Sequence, residues 1–206
     1  MFEQLLSKEY QDAEAILELI SYLNTDEDCI GIMLQLPLPE HLSPSRNHFL
    51  QAIDESKDID GLGGSLVGKS FSEYLEFTPA TPRAVMMLLD YYQLGDLRNK
   101  RVAIIGQSVV VGKPLALECL KRGAIVQCCD IRNTPAEIVT ACQNAQYVFA
   151  GTGAVHLITA AHSNDKKNQI FIDIGYGHLK GKAVGDMDIS NLQEQVAHIT
   201  PVPGGV

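Results

Sequence analysis

The 206-residue chain is short of positive charge and of long apolar runs, and each lack narrows what it can be. Sixteen Lys and Arg stand against 25 Asp and Glu, a formal net charge of −9. A phosphate or anionic-lipid surface would repel such a chain, so neither nucleic acid nor a membrane is expected as a partner. No stretch approaches the roughly 18 consecutive apolar residues of a membrane span. The opening, MFEQLLSKEYQDAEA, is acidic and lacks the apolar heart of a signal peptide. The five cysteines (29, 119, 128, 129 and 142) form neither a CxxC pair nor a spaced zinc pattern. They read as reduced, buried small hydrophobes of a cytoplasmic protein. Histidines 48, 156, 162, 178 and 198 show no ligand spacing, so no metal is expected; His198 alone lies beside a candidate site. There is no internal repeat and no low-complexity tract.

What is present suits one large domain or two small ones. Hydrophobic residues make up 46% and charged residues 20%, which excludes a disordered chain. Ala13, Ile16, Leu17, Ile20 and Leu23 recur at helical spacing over 8–23, with Ser7 available as a cap. IGIML (30–34) reads as a buried strand, SRNHFLQAI (45–53) as a short helix, and 54–72, rich in Asp, Gly and Ser, as loop.

The second half alternates regularly. Thr81-Pro82 is read as cap and first residue of a helix. Strands are expected at 101–106, 124–130, 146–151 and 170–175, with helices over 112–123 and from Thr134-Pro135 to about Gln143. Strands alternating with helices of this length imply a parallel sheet covered on both faces. Glycines 177, 181 and 185 mark an exposed loop or hairpin over 176–185.

Four segments have the makings of a site. After RVAII comes Gly106-Gln107-Ser108-Val109-Val110-Val111-Gly112-Lys113-Pro114, a glycine-bearing turn from strand to helix. Such a turn lets backbone N–H groups and a helix N-terminus face a pyrophosphate. Asp130 closes the next strand 24 residues after Gly106, near the spacing at which a dinucleotide fingerprint places its acid. Gly151-Thr152-Gly153 follows another strand on the same carboxyl edge. GIMLQLPLP (31–39) sets the amide of Gln35 before a stiff Leu-Pro-Leu-Pro turn, where it serves a ligand or merely the local backbone. KDIDG (57–61) carries Asp58 and Asp60, a loop pair whose bland reading is a solvated acidic turn. TPVPGGV (200–206) joins two prolines and two glycines in a rigid, closely approached backbone.

Taken in order, GIMLQLPLP, KDIDG, TPATP (78–82), GQSVVVGKP, DIG (173–175), GDMD (185–188) and TPVPGGV resemble the bifunctional methylenetetrahydrofolate dehydrogenase/methenyltetrahydrofolate cyclohydrolase family. The resemblance implies an α/β protein in which a Rossmann-type parallel-sheet domain (91–198) accompanies an α/β folate-binding domain (1–90). A segment over 199–206 would return to the cleft. It implies an oxidoreductase and hydrolase of one-carbon metabolism, which oxidises methylenetetrahydrofolate with NAD or NADP and hydrolyses the methenyl product. The implied partners are tetrahydrofolate one-carbon derivatives and a second copy of the chain, as a homodimer. On the same basis Gln35 and Asp60 are catalytic, and Gln35, Leu36, Pro37, Asp60, Pro201, Gly204 and Gly205 meet substrate. The cofactor would meet Gly106, Gln107, Ser108, Gly112, Asp130, Arg132, Gly151 and Tyr176.

Three departures stand out. No Tyr-x-x-x-Lys precedes Gln35 (Tyr10 is followed by Glu14), so the folate domain reads as N-terminally truncated and without its catalytic lysine. The family's C-terminal helix is likewise absent. Gln107 occupies the usual arginine position of the cofactor turn, and Ala80 that of a cysteine. Asp130 and Gln107 together favour NAD over NADP. Two other readings stay open: a cofactor-binding protein without catalysis, and a different small-substrate dehydrogenase using Lys57 with Asp60.

Overall fold

The computed structural model describes residues 12–71 and 78–206, which fall in two compact units, Met1–Phe77 and Thr78–Val206. The helix over 80–91 therefore groups with the second unit, whereas the sequence places the boundary near residue 90. Ser7, expected as a helix cap, lies outside the described residues.

In the first unit, helix α1 (Ala13–Thr25) is capped by Asp12, whose carboxylate accepts from the Glu14 N–H at 3.1 Å. Ile16, Leu17, Ile20 and Leu23 turn one face toward Phe49 and Ile53 of the α2 region (α2, Arg46–Ala52) and toward Leu42. Asn24 ties the two helices, donating to the Ala52 carbonyl at 2.7 Å and accepting from the Asp54 N–H at 2.9 Å. IGIML does not form the expected strand. Only one described segment runs beside it, so a single parallel bridge joins Ile32 to Asp58. The stretch expected as loop instead holds helix α3 (Gly64–Ser70), despite two glycines. Tertiary anchors override the weak local propensity: Leu66 is buried, and Glu55 accepts from Ser65 Oγ at 2.5 Å and pairs with Lys69.

The second unit opens with α4 (Ala80–Tyr91). Pro79 rather than Thr81 stands at its cap, and Pro82 falls inside the first turn, where a missing N–H breaks no helical bond. Then follow β1 (Arg101–Ile105), α5 (Gly112–Lys121), β2 (Ile125–Cys129), α6 (Pro135–Asn144), β3 (Tyr147–Ala150) and β4 (Ile170–Asp173). Thr134 and Glu137 close a full capping box on α6. The chain continues through the hairpin β5 (Gly177–Leu179) and β6 (Lys182–Val184), the short α7 (Ile189–Leu192), and β7 (His198–Ile199).

Five of these strands make one parallel sheet in the order β2-β1-β3-β4-β7, with Ile104 opposite both Cys128 and Phe149. The fold is α/β, as expected. Alternation along each strand splits the core in two. Val102, Ile104, Phe149 and Ile172 meet Val85 and Leu89 of α4 and Leu115 of α5. Ala103, Ile105, Val148 and Phe171 meet Ile138 and Cys142 of α6 and Leu192 of α7. Phe149 and Phe171 are fully buried, each contributing about 2–3 kcal/mol of transfer free energy.

All five cysteines are free thiols. Burial pushes Cys119 and Cys142 up to about 12, which leaves them inert. The expectation that all are buried fails at Cys128, which is exposed on edge strand β2, and at Cys29, half-buried in the first unit. Among the described residues no helix is long and apolar enough to cross a membrane.

Candidate functional site

The order of the sheet reverses between β1 and β3, and loops leaving such a switch point diverge to leave a crevice at their carboxyl ends. The turns after these two strands touch. Gly106 adopts φ +102°, and a Cβ on it would lie 2.4 Å from the Gly151 carbonyl oxygen. On the other side, a Cβ on Gly112 would lie 1.8 Å from the Gly106 oxygen. Glycine at 106 and 112 lets the start of α5 and both turns close on one another backbone to backbone, while a Cβ on Gly151 would come 3.2 Å from the Val111 side chain. Ser108 shapes the turn, its Oγ accepting from the Val111 N–H at 3.1 Å and its carbonyl from Lys113 N–H at 3.1 Å. No side chain caps α5 at Val111, so the positive end of its dipole is left for another group to satisfy. Such a cradle, bare of side chains, fits a phosphate-bearing dinucleotide.

Gln107 folds back, donating to the Ile104 carbonyl at 3.2 Å. Asp130 ends β2 beside Arg132, and the two are paired: Arg132 Nε donates to both carboxylate oxygens at 3.0 Å, and its backbone N–H adds a bond at 2.9 Å. These bonds hold the Asp130 carboxyl down at about 2. Arg132 is thus neither a solitary solvated charge nor free for a phosphate without leaving Asp130. Tyr176 stands exposed before β5, its hydroxyl 3.3 Å from His178 Nε2. His198 belongs to β7.

Two carboxylates that the sequence reading left without a role lie deepest at this edge. Asp173 and Asp186 are each 1% exposed. Asp173 accepts from the N–H groups of Gly175 (3.1 Å), Asp186 (3.1 Å) and Met187 (2.8 Å), while its own N–H donates to Thr200 Oγ1 at 2.8 Å. Burial, with a smaller contribution from the neighbouring Asp186 charge, drives its pKa up to about 6 against those bonds. Asp186 Oδ2 accepts from Thr152 N–H (2.5 Å), Thr152 Oγ1 (2.7 Å) and Gly153 N–H (3.3 Å), and its buried Oδ1 has no hydrogen-bond partner among the described residues. The available signal was the pairing of each acid with glycine in DIG and GDMD. A Cβ on Gly175 would strike Asp186 at 2.0 Å, and one on Gly185 would strike Asp173 at 2.0 Å.

Beyond Thr200 the chain turns tightly. A Cβ on Gly205 would come within 2.5 Å of the Pro201 oxygen, Gly204 takes φ +101°, and Pro201 and Gly204 are exposed.

In the first unit, the Gln35 amide donates to the adjacent Leu36 carbonyl at 3.1 Å. The side chain is exposed in front of Pro37, so its outer face is open. Asp58 and Asp60 do not act alike. Asp58 is buried and accepts from the N–H groups of Gly61 (2.9 Å) and Gly63 (2.7 Å). Asp60 is half-buried with no hydrogen bond among the described residues, and burial plus the Asp58 charge raises its pKa. Lys57 is occupied elsewhere: its Nζ donates at 2.7 Å to the carbonyls of Leu23 and Asp26, closing the C-terminus of α1. That placement removes the Lys57–Asp60 dehydrogenase reading.

Residues 79–206 match the model of the tetrahydrofolate dehydrogenase/cyclohydrolase NAD(P)-binding domain, and residues 2–60 that of the catalytic domain of the same enzymes. The chain belongs to the tetrahydrofolate dehydrogenase/cyclohydrolase family. Within that family it is 43% identical over 192 residues to the bifunctional protein FolD of Helicobacter pylori strain HPAG1, covering 93% of this chain and 64% of that one. The chain therefore spans just under two thirds of that relative's length. The crystal structure of the bifunctional enzyme FolD-methylenetetrahydrofolate dehydrogenase/cyclohydrolase from Campylobacter jejuni superposes with a TM-score of 0.86 at 36% identity, over 94% of this chain and 67% of that one. The Trypanosoma brucei family member, complexed with NADP cofactor and an inhibitor, gives 0.85 at 28% identity over 94% of this chain and 67% of its own.

Proposed function

We propose that the second unit binds a nicotinamide dinucleotide and that the chain serves the oxidation of methylenetetrahydrofolate and hydrolysis of the methenyl product. The observation that supports this best is the bare backbone cradle of Gly106, Gly112 and Gly151 at the switch point of the sheet. When bound, the nicotinamide supplies the hydride acceptor. In this reading the N–H groups of the cradle and the start of α5 hold the pyrophosphate, with Gln107, Ser108 and the backbone near Tyr176 lining its path. Asp130 accepts from the ribose hydroxyls. Gln35, Leu36, Pro37 and Asp60 are the first unit's contacts to the folate, and Pro201, Gly204 and Gly205 are the second unit's candidates for the same substrate. Asp60 suits the polar edge of a pterin, because its carboxylate has both oxygens free to accept two N–H bonds at once. The family resemblance also supports a cytoplasmic homodimer.

Calorimetric titration with NAD and with a tetrahydrofolate derivative tests the two halves separately. Asp60→Asn is expected to weaken the folate about tenfold or more, since one acceptor of a charge-assisted pair becomes a donor. Unchanged folate affinity removes Asp60 from the site.

We also propose NAD over NADP. On this reading the Asp130 carboxylate would repel the extra phosphate, Gln107 lacks the charge of an arginine, and Arg132 must abandon Asp130 to offer one. The expected result is tighter NAD binding, with Asp130→Ser tightening NADP about fivefold, the ~1 kcal/mol exchanged between two water-exposed unit charges about 4 Å apart. Tighter binding of NADP by the parent chain overturns the preference.

A further inference from the structure

We infer that Asp186 is a positioning residue for the cofactor cradle: from a buried place behind it, this carboxylate fixes the Thr152–Gly153 turn and so keeps Gly151 against Gly106. The inference rests on the dinucleotide reading above and says which group makes the cradle rigid. One oxygen does this work. Asp186 Oδ2 gathers two consecutive backbone N–H groups and the Thr152 hydroxyl from the turn that follows β3. The same Thr152 oxygen then accepts from the Ala154 N–H at 3.0 Å, passing the constraint one residue further. At its start the turn is tied to β1, the Gly151 N–H donating to the Ile105 carbonyl at 2.9 Å. Past Gly151 the Asp186 carboxylate is the acceptor for the next two N–H groups, and Gly153 takes φ +74° with nothing within 4 Å of where a Cβ would stand.

Asp186 is itself held rigid. Its N–H donates to Asp173 Oδ1, and its carbonyl accepts from the Ile158 N–H at 2.9 Å. Asp173 in turn grips Gly175 and, through Thr200, the segment that enters TPVPGGV. Three loops of the carboxyl edge are therefore bound to two side chains. The cost is visible in Asp186 Oδ1, buried with no hydrogen-bond partner among the described residues. A surface carboxylate could brace an ordinary turn without that penalty. A buried one is warranted where the turn must not move as a ligand comes and goes.

Amide hydrogen exchange in the ligand-free chain reads the clamp directly, and dinucleotide titration reads its consequence. In Asp186→Ala, protection at Thr152 and Gly153 is expected to fall at least about tenfold and dinucleotide affinity to drop by a similar factor, while exchange in β1, β3 and β4 stays near that of the parent. Asp186→Asn keeps an oxygen toward Thr152 and is expected to retain affinity within about threefold. Should Asp186→Ala fail to fold, Thr152→Val removes the hydroxyl's bond to Asp186 and the one it accepts from the Ala154 N–H, keeps both backbone N–H bonds to the carboxylate, and is expected to weaken binding at least about threefold. Unaltered protection in Asp186→Ala overturns the inference, as does lost protection with unaltered affinity or failure of Asp186→Asn to rescue. A parent chain that binds neither dinucleotide overturns the cofactor reading and this inference with it. The exchange data then show whether the clamp exists as a purely structural feature.

Discussion

Gly112→Ala is expected to abolish measurable dinucleotide binding by the second unit and to lower its stability by about 3 kcal/mol or more. The new methyl carbon would sit 1.8 Å from the Gly106 oxygen and 2.8 Å from the Gly106 carbonyl carbon, both backbone atoms. No side-chain rotation relieves such a clash, so either α5 withdraws or the turn is pushed aside. Gly106 cannot yield easily, because its other flank already rests on the Gly151 carbonyl. Both the hydrogen-bond donors and the helix end would leave the places from which they face an anion. A matched control is Gly68→Ala in α3, where a Cβ meets nothing within 4 Å. That change is expected to be neutral or to stabilise by up to about 1 kcal/mol, since alanine is the better helix former. Urea unfolding followed by NAD titration of both variants checks the contrast. Wild-type affinity in Gly112→Ala would show that the cradle is not where the dinucleotide lies.

The second large effect is a pH dependence centred on Asp173. Its carboxyl has a pKa of about 6 in the folded chain against an ordinary 3.8, chiefly because it is taken out of water. Between those values the native state holds a proton that the unfolded state has released. The contribution of this group to stability is therefore fully present below about pH 4 and is lost as pH rises through 6. A shift of about two units corresponds to ~3 kcal/mol. Asp173→Asn does not titrate. Whatever fixed cost its amide incurs opposite the Met187 N–H, the gap to the parent should move in the variant's favour by up to ~3 kcal/mol between pH 4 and pH 7. Chemical denaturation midpoints across that range measure it. A gap that stays constant with pH means that the carboxyl titrates normally. His162 shifts in the opposite sense: burial lowers its pKa, so its cost to the folded state fades as pH rises toward 6.5 and is gone above it. Since His162 is present in both chains, it cancels from the comparison.

Much of the second unit was legible because buried parallel strands write themselves as short apolar runs. RVAII after its opening arginine, YVFA, and IFID up to its closing aspartate have no charged interruption, and the helices between them announce their ends with Thr134-Pro135 and Gly123. The first unit was harder to read. Whether IGIML becomes a strand depends on what lies beside it, and periodicity in one segment says nothing about its neighbour. Helix α3 was hidden for a related reason. GSLVGKS has poor helical propensity, and its anchors, Glu55 to Ser65 and Lys69, come from ten or more residues earlier. At the site, glycine spacing found the cradle, and Gln35 and Asp60 were found by motif. Asp173 and Asp186 were missed as functional candidates because an acid at a strand end looks the same whether it faces water or the interior. Only the fold shows that both are buried. Arg132 shows the converse limit: sequence offers a loop arginine two residues past an acid as a cofactor contact, yet here its Nε donates to both oxygens of that acid.

The reciprocal fit of the two acids and two glycines has a consequence for anyone exchanging parts between related chains. The volume that a side chain at 175 would fill is already taken by the carboxylate of Asp186, and the volume at 185 by that of Asp173. Neither glycine can gain a side chain unless the opposite acid shrinks, and neither acid can lengthen to glutamate while the opposite backbone stays in place. The loops after β4 and β6 therefore form one inheritable block. A chimaera that takes one loop from a donor and keeps the other is expected to misfit even when each loop is sound in its own parent. Transplanting both together should preserve the sheet edge.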